Sequence, residues 1–190
     1  MKIFVGCSSR DNIPGKYYDK CYDLLSKLFS NNFDLVFGAC NKGLMGLAYK
    51  AALSNNSDII GIYPDAYVDE AKDLNIVDIP VKTVSDRTDM VIRESDILLF
   101  LPGGIGTVYE LFTAIESKRA GEHNKPIIIY NVDGFYDKLV SMLSKMSSEK
   151  FINNHDFKNN FYIFDSIDCL LDHINKYIIK EKELSRKRGY

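Results

Sequence analysis

Histidine is scarce in this chain of 190 residues. His123, His155 and His173 stand far from one another and from every cysteine, so no pair has the spacing of a zinc site. Cysteine is no richer in pattern. Positions 7, 21, 40 and 169 form no CxxC pair, and such gaps in a chain of this size point to reduced thiols and a cytoplasmic protein rather than a disulfide framework. No apolar run approaches the roughly 20 residues that span a bilayer. The opening Met-Lys-Ile-Phe-Val-Gly meets polar residues at once, which reads as a strand and not a signal peptide. Neither sign of charge dominates: 24 basic against 26 acidic residues leave a net −2, so neither nucleic acid nor a membrane surface is an expected partner. With 46% hydrophobic and 26% charged residues, disorder and collagen-like repeats are excluded. A chain of this length makes one domain. It buries about 70% of its unfolded surface, enough to need no metal or disulfide staple.

What is present is an alternation of short apolar runs with helical patterns. Strands are expected over residues 2–7, 34–40, 58–63, 82–84, 96–101, 126–131 and 161–164. Several are continuous, such as Ile97-Leu98-Leu99-Phe100-Leu101, which suits strands covered on both faces. Helices are expected over 17–29, 44–53, 87–95, 108–120, 135–146 and 167–180; the first carries Tyr18, Cys21, Tyr22, Leu25 and Leu28 at a period near 3.6. This order predicts an α/β fold, a single doubly wound, Rossmann-like domain over 1–180 with a mostly parallel sheet flanked by helices. Residues 149–160 read as a polar loop, and 181–190 as a frayed basic tail.

In such a sheet, ligands bind beyond the carboxyl ends of the strands, so the loops there are the places to look. The strongest is Leu101-Pro102-Gly103-Gly104-Ile105-Gly106-Thr107-Val108-Tyr109-Glu110. A buried strand runs into three glycines within four positions and then a helix. Glycine permits positive φ and close approach of backbone amides to a ligand, and the helix start adds unpaired N–H groups: a phosphate cradle. Thr107 is placed to cap the helix or to meet a phosphate oxygen. Glu110 is placed either to reach a sugar held by its phosphate or to close a capping box with Thr107. Tyr109 holds the third glycine position of GxGxxG, and Leu44-Met45 follow the 38–43 glycine segment where a Walker A loop needs Lys-Ser/Thr. Dinucleotide binding and ATP hydrolysis are both demoted.

Three further loops follow strands. Gly38-Ala39-Cys40-Asn41-Lys42-Gly43-Leu44-Met45-Gly46 also opens a helix; Gly43 and Gly46 there either let backbone pass close to a ribose or base, or pack against the sheet. Ser8 and Ser9 follow the first strand, as ligands or as simple turn residues. Asp86-Arg87-Thr88-Asp89-Met90 opens a helix, where Arg87 opposes the helix dipole and so stands out as a candidate anion ligand.

Together these motifs resemble the Lonely Guy family, often labelled lysine decarboxylase-like, whose hallmark PGGxGTxxE occurs without gaps from Pro102 to Glu110. The family's arginine, fifteen residues before that proline, falls on Arg87; its GLMG run falls on 43–46, its paired serines on Ser8 and Ser9, and its His-x-Lys-Pro on 123–126. The resemblance covers residues 1–143 and implies a phosphoribohydrolase that frees a nucleobase from a nucleoside 5′-monophosphate. It implies Arg87 and Glu110 as the catalytic pair. Gly103, Gly104, Ile105, Gly106, Thr107, Val108 and Tyr109 would bind the 5′-phosphate, and Ser9, Gly43, Met45, Gly46, Asp86 and Met90 would be further substrate ligands. It also implies a homodimer with the site near the subunit interface. The chain departs from the family at Thr88 (usually Lys) and at Ser117 and Arg119 (usually Trp and Gln), positions that bear on which base is taken.

The implied substrate is AMP or a cytokinin riboside monophosphate, cleaved to free base and ribose 5-phosphate through an oxocarbenium-like sugar. No cofactor is expected. Lysine decarboxylation itself needs pyridoxal phosphate on a Schiff-base lysine, and no lysine sits in such a context. The alternative is a non-catalytic carrier for a phosphorylated ligand such as molybdenum cofactor. Such a carrier needs the cradle but not the carboxylate.

Overall fold

The computed structural model describes residues 1–153 and 160–187. Seven strands form one sheet in the order β4-β3-β2-β1-β5-β6-β7, and every neighbouring pair is parallel. They are β1 (Lys2–Gly6), β2 (Asp34–Phe37), β3 (Ile59–Pro64), β4 (Val77–Val81), β5 (Ile97–Phe100), β6 (Ile127–Tyr130) and β7 (Tyr162–Phe164). The chain winds outward from β1 to β4, then crosses back to lay β5 on the other side of β1. The strand order therefore reverses between β1 and β5, and their carboxyl ends border the crevice where doubly wound sheets take ligands.

Alternate residues of each strand feed two separate apolar layers. Ile3, Val5, Leu35, Phe37, Leu99 and Ile128 pack under α1 (Gly15–Phe29), α2 (Gly43–Ser54) and the last helix; Phe4, Val36, Leu98, Phe100, Ile127 and Ile129 pack under the helices of the opposite face. These are α4 (Val84–Glu94), α5 (Ile105–Arg119) and α6 (Asp137–Ser148). Burial on both faces explains why the strands read as unbroken apolar runs. The four cysteines are free, three of them buried, and burial pushes the Cys7 and Cys21 thiols up.

Four elements differ from the sequence reading. The strand expected at 82–84 lies instead at Val77–Val81; as an edge strand that is mostly exposed and carries Pro80, it lacks the apolar run that marks the others. Lys82 and Thr83 form the turn into α4, which Val84 opens and whose start is fixed by a capping box between Thr83 and Asp86. A short turn of helix, α3 (Val68–Ala71), follows β3 without a periodic signal. The final helix, α7 (Ile167–Lys187), continues past residue 180, so the described part of the basic segment is helical rather than frayed. The loop expected at 149–160 lies largely outside the described residues.

Candidate active site

Three loops meet at the β1–β5 switch point. The Ser8 amide donates to the Pro102 carbonyl at 3.1 Å, and the Ser8 carbonyl accepts from the Met45 amide at 3.1 Å, tying the first-strand loop to the glycine-rich loop and to the start of α2. The Asp11 carboxylate accepts from the Gly43 amide at 2.8 Å. Gly43 adopts φ +58°, and a Cβ there or on Gly46 would stand within 2.7 Å of backbone, of Ser8 and Arg10 in one case and Asn41 in the other. The latter two glycines are thus explained by backbone packing and not by an open face toward a ligand.

The glycine-rich loop behaves differently. Gly104 is the N-cap of α5 and has no side chain to offer, and no side-chain cap bond is present. The first bond of the helix runs from the Val108 amide to the Gly104 carbonyl at 3.0 Å. The amides of Gly104, Ile105, Gly106 and Thr107 are therefore left without partners inside the helix. Cβ atoms added at Gly104 or Gly106 would meet nothing within 4 Å, whereas one at Gly103 would strike Thr107 Oγ1 at 2.1 Å. None of the three has positive φ. Of the two reasons the sequence offered, positive φ is not what selects these glycines. Gly103 makes room for Thr107, while Gly104 and Gly106 keep the helix start bare, as an anion-binding site requires. Thr107 is buried at the third helical position and does not cap α5.

Beyond the cradle lies an ion pair. Arg87 Nη2 donates to Glu110 Oε1 at 2.6 Å, with side-chain exposures of 15% and 8%. Arg87 sits on the first turns of α4 and Glu110 on the second turn of α5. Glu110 is thus paired across two helices, and the capping-box reading with Thr107 falls away. Burial pushes the Glu110 carboxyl up from 4.5 to about 7, and the Arg87 guanidinium opposes that rise only in part. Arg87 Nε is buried without a partner, and Nη1 lies 4.0 Å from where a Cβ on Gly38 would stand. The guanidinium thus has donor capacity to spare. A carboxyl near neutrality beside an underused arginine is suited to proton transfer and to stabilising developing charge.

The remaining candidates divide. Met45 and Arg87 both approach Gly38, with Met45 Sδ and Cε 3.3 Å from its would-be Cβ. Met90 is half-buried one turn after Arg87 and contacts Arg93. Ser9 is exposed on the loop after β1. Asp86 is exposed, and its carboxylate is engaged by the amide and hydroxyl of Thr83 at 2.9 and 2.8 Å. It serves the start of α4. Ile105 is exposed, Val108 half-buried, and Tyr109 exposed on the outer side of α5. The 123–126 motif ties into two helices: His123 Nε2 bonds the Ala114 carbonyl of α5 at 3.0 Å, and Lys125 Nζ donates to the carbonyls of Ile92 and Arg93 at the end of α4. Thr88 is buried, with its hydroxyl on the Val84 carbonyl, and Arg119 pairs with Glu116 at the far end of α5. Sequence reasoning weighed Ser8 as a ligand or a turn residue, and Gly38, which follows β2, only as the start of the second glycine segment.

A seven-stranded parallel sheet flanked by helices, with a bare helix start and a buried arginine–carboxylate pair at its switch point, defines a Rossmann-like α/β domain. The chain belongs to the Lonely Guy family: the family described as "possible lysine decarboxylase" matches residues 45–174. It is 36% identical over 155 residues to a rice (Oryza sativa subsp. japonica) protein, LOGL6, named as a probable cytokinin riboside 5′-monophosphate phosphoribohydrolase. That match covers 80% of this chain and 62% of the rice protein, so the chain spans less than two thirds of that relative. The Arabidopsis thaliana cytokinin riboside 5′-monophosphate phosphoribohydrolase LOG1 is 35% identical over 192 residues, covering 100% of this chain and 89% of LOG1. Among solved structures, a molybdenum cofactor binding protein from Rippkaea orientalis superposes with a TM-score of 0.69 at 22% identity, covering 93% of this chain and 96% of that one. At that identity the likeness concerns the fold.

Proposed function

We propose that this protein hydrolyses the N-glycosidic bond of a nucleoside 5′-monophosphate, of the AMP or cytokinin riboside monophosphate type, to free base and ribose 5-phosphate. The observation that carries the reading is the buried Arg87–Glu110 pair, with Glu110 held near neutrality, one helical turn beyond the open start of α5. The 5′-phosphate binds the unpaired amides of the first turn of α5, and that remote anchoring orients the sugar. As the bond from C1′ to the base nitrogen breaks, positive charge grows on the sugar. The Glu110 carboxylate stabilises it or takes a proton from the attacking water, whose hydroxyl joins C1′ while the water's proton ends on the base nitrogen that leaves with the bonding electrons. The spare donors of Arg87 hold the phosphate or the departing base. Each such preorganised charge contributes a few kcal/mol in a dry site. A carrier would need the cradle alone, and the buried carboxylate speaks for chemistry. The phosphoribohydrolase names of the relatives point the same way.

The test is Glu110→Gln, which keeps the shape and removes the charge. Turnover should be lost while nucleotide binding, followed calorimetrically, persists; turnover retained in this variant would overturn the assignment. The same reading includes a homodimer. Ile105, Tyr109 and Phe112, at i, i+4 and i+7 on α5, are all exposed apolar residues beside the site, and a second copy is the partner the family resemblance implies.

A further inference from the structure

The glycine-rich loop has to hold its amides still, yet Gly103 and Gly104 give it no side chains with which to do so. Its root is gripped on one side by β1. The Leu101 amide donates to the Gly6 carbonyl at 2.9 Å, and the Pro102 carbonyl accepts from Ser8. The other grip comes from a residue outside every motif. The hydroxyl of Tyr136, which is 2% exposed, donates to the Leu101 carbonyl at 2.6 Å. Leu101 itself is fully buried, so its carbonyl has no recourse to water.

Tyr136 is in turn held by a built corner between β6 and α6. Asn131 Oδ1 accepts from the Tyr136 amide at 2.8 Å, and Asn131 Nδ2 donates to Asp137 and to Asp165, both at 2.9 Å. The turn that delivers the ring has positive φ at both Asp133 (50°) and Gly134 (69°). A Cβ at Gly134 would stand 2.4 Å from the Asp137 carboxylate. Lys16 and Lys20, from α1, bind the Asp133 carboxylate over this corner. A non-glycine residue in the left-handed region persists only where its surroundings over-determine it. Here two lysines of α1 hold the Asp133 carboxylate in place.

We propose that Tyr136 is a positioning residue for the reaction: anchored by the Asn131 corner, its hydroxyl fixes the Leu101 carbonyl and so aims the cradle amides at the 5′-phosphate. This rests on the phosphate cradle of the function proposed above, but not on the hydrolysis. The test is Tyr136→Phe, which keeps the ring and removes one hydroxyl, measured against wild type with ribose 5-phosphate as probe. The expected result is a weakening of ribose 5-phosphate binding by about tenfold, the factor that corresponds to about 1.4 kcal/mol. Adenosine, which lacks the phosphate, should bind both proteins equally. The amide resonances of Gly103, Gly104 and Gly106 should shift and exchange faster with solvent, even without ligand. Where substrate is turned over, KM should rise with kcat nearly unchanged. Unaltered ribose 5-phosphate affinity and unaltered glycine amides would overturn the proposal, as would equal losses for adenosine and ribose 5-phosphate. Should Tyr136→Phe fold poorly, Asn131→Asp carries the same test, since it keeps the acceptor for the Tyr136 amide but sets a carboxylate against Asp137 and Asp165. A wild-type protein that binds ribose 5-phosphate but releases no base contradicts the hydrolase while leaving this proposal testable.

Discussion

In the proposed reaction Glu110 matters because its carboxyl changes charge within reach of neutral pH. Burial raises it from 4.5 to about 7, and the proposed reaction would use the ionised form. The rate of base release should therefore climb with pH and level off above about 7, as a plot of kcat against pH would display. A rate that falls over the same range would make Glu110 the acid instead. Stability moves the other way. A carboxyl raised on folding favours the folded state below its unfolded value, and that advantage is lost as pH rises through the folded value. The rise corresponds to about 3 kcal/mol at most. Glu110→Gln carries no such charge, so its melting temperature relative to wild type should increase between pH 5 and pH 8. A difference that stays flat with pH would mean that Glu110 is already ionised throughout.

At the scale of elements, the start of α5 separates two glycines that look alike in the sequence. Gly103→Ala drives a methyl into Thr107 and should destabilise the fold by about 1–3 kcal/mol, read as a lowered melting temperature. Gly104→Ala meets nothing and should leave the melting temperature almost unchanged, but it places a methyl where the phosphate would sit and should raise KM. Equal behaviour of the two variants would contradict the division of roles. This division was not legible in the sequence, where the three glycines form one motif. What was legible came from long-range regularity, the buried strands and the major helices, while the pairing of Arg87 with Glu110 came only from the family resemblance. What escaped was set by contacts that no local pattern records. Val77–Val81 is an exposed edge strand without an apolar run, and α4 begins early because Thr83 and Asp86 cap each other. Gly43 and Gly46 owe their identity to the backbone of distant or preceding loops.

On the scale of the whole molecule, the reversal of strand order between β1 and β5 gathers the functional groups. Arg87 comes from one helix of the sheet's outer layer, Glu110 from its neighbour, and the loops of β1, β2 and β5 form the floor beneath them. The apolar residues Ile105, Tyr109 and Phe112 stand exposed at the rim of this site. Phe112→Asp should shift the mass in light scattering from dimer toward monomer without unfolding the chain; a wild-type protein that is already monomeric would contradict the dimer. The central claim is nucleotide hydrolysis, and it is tested most directly by incubating the purified protein with a panel of nucleoside 5′-monophosphates and following free base and ribose 5-phosphate by chromatography. Stoichiometric release of both from at least one purine nucleotide, abolished by Glu110→Gln, is the predicted result. Nucleotides that bind across the panel yet are recovered intact would contradict the account and leave the chain a carrier.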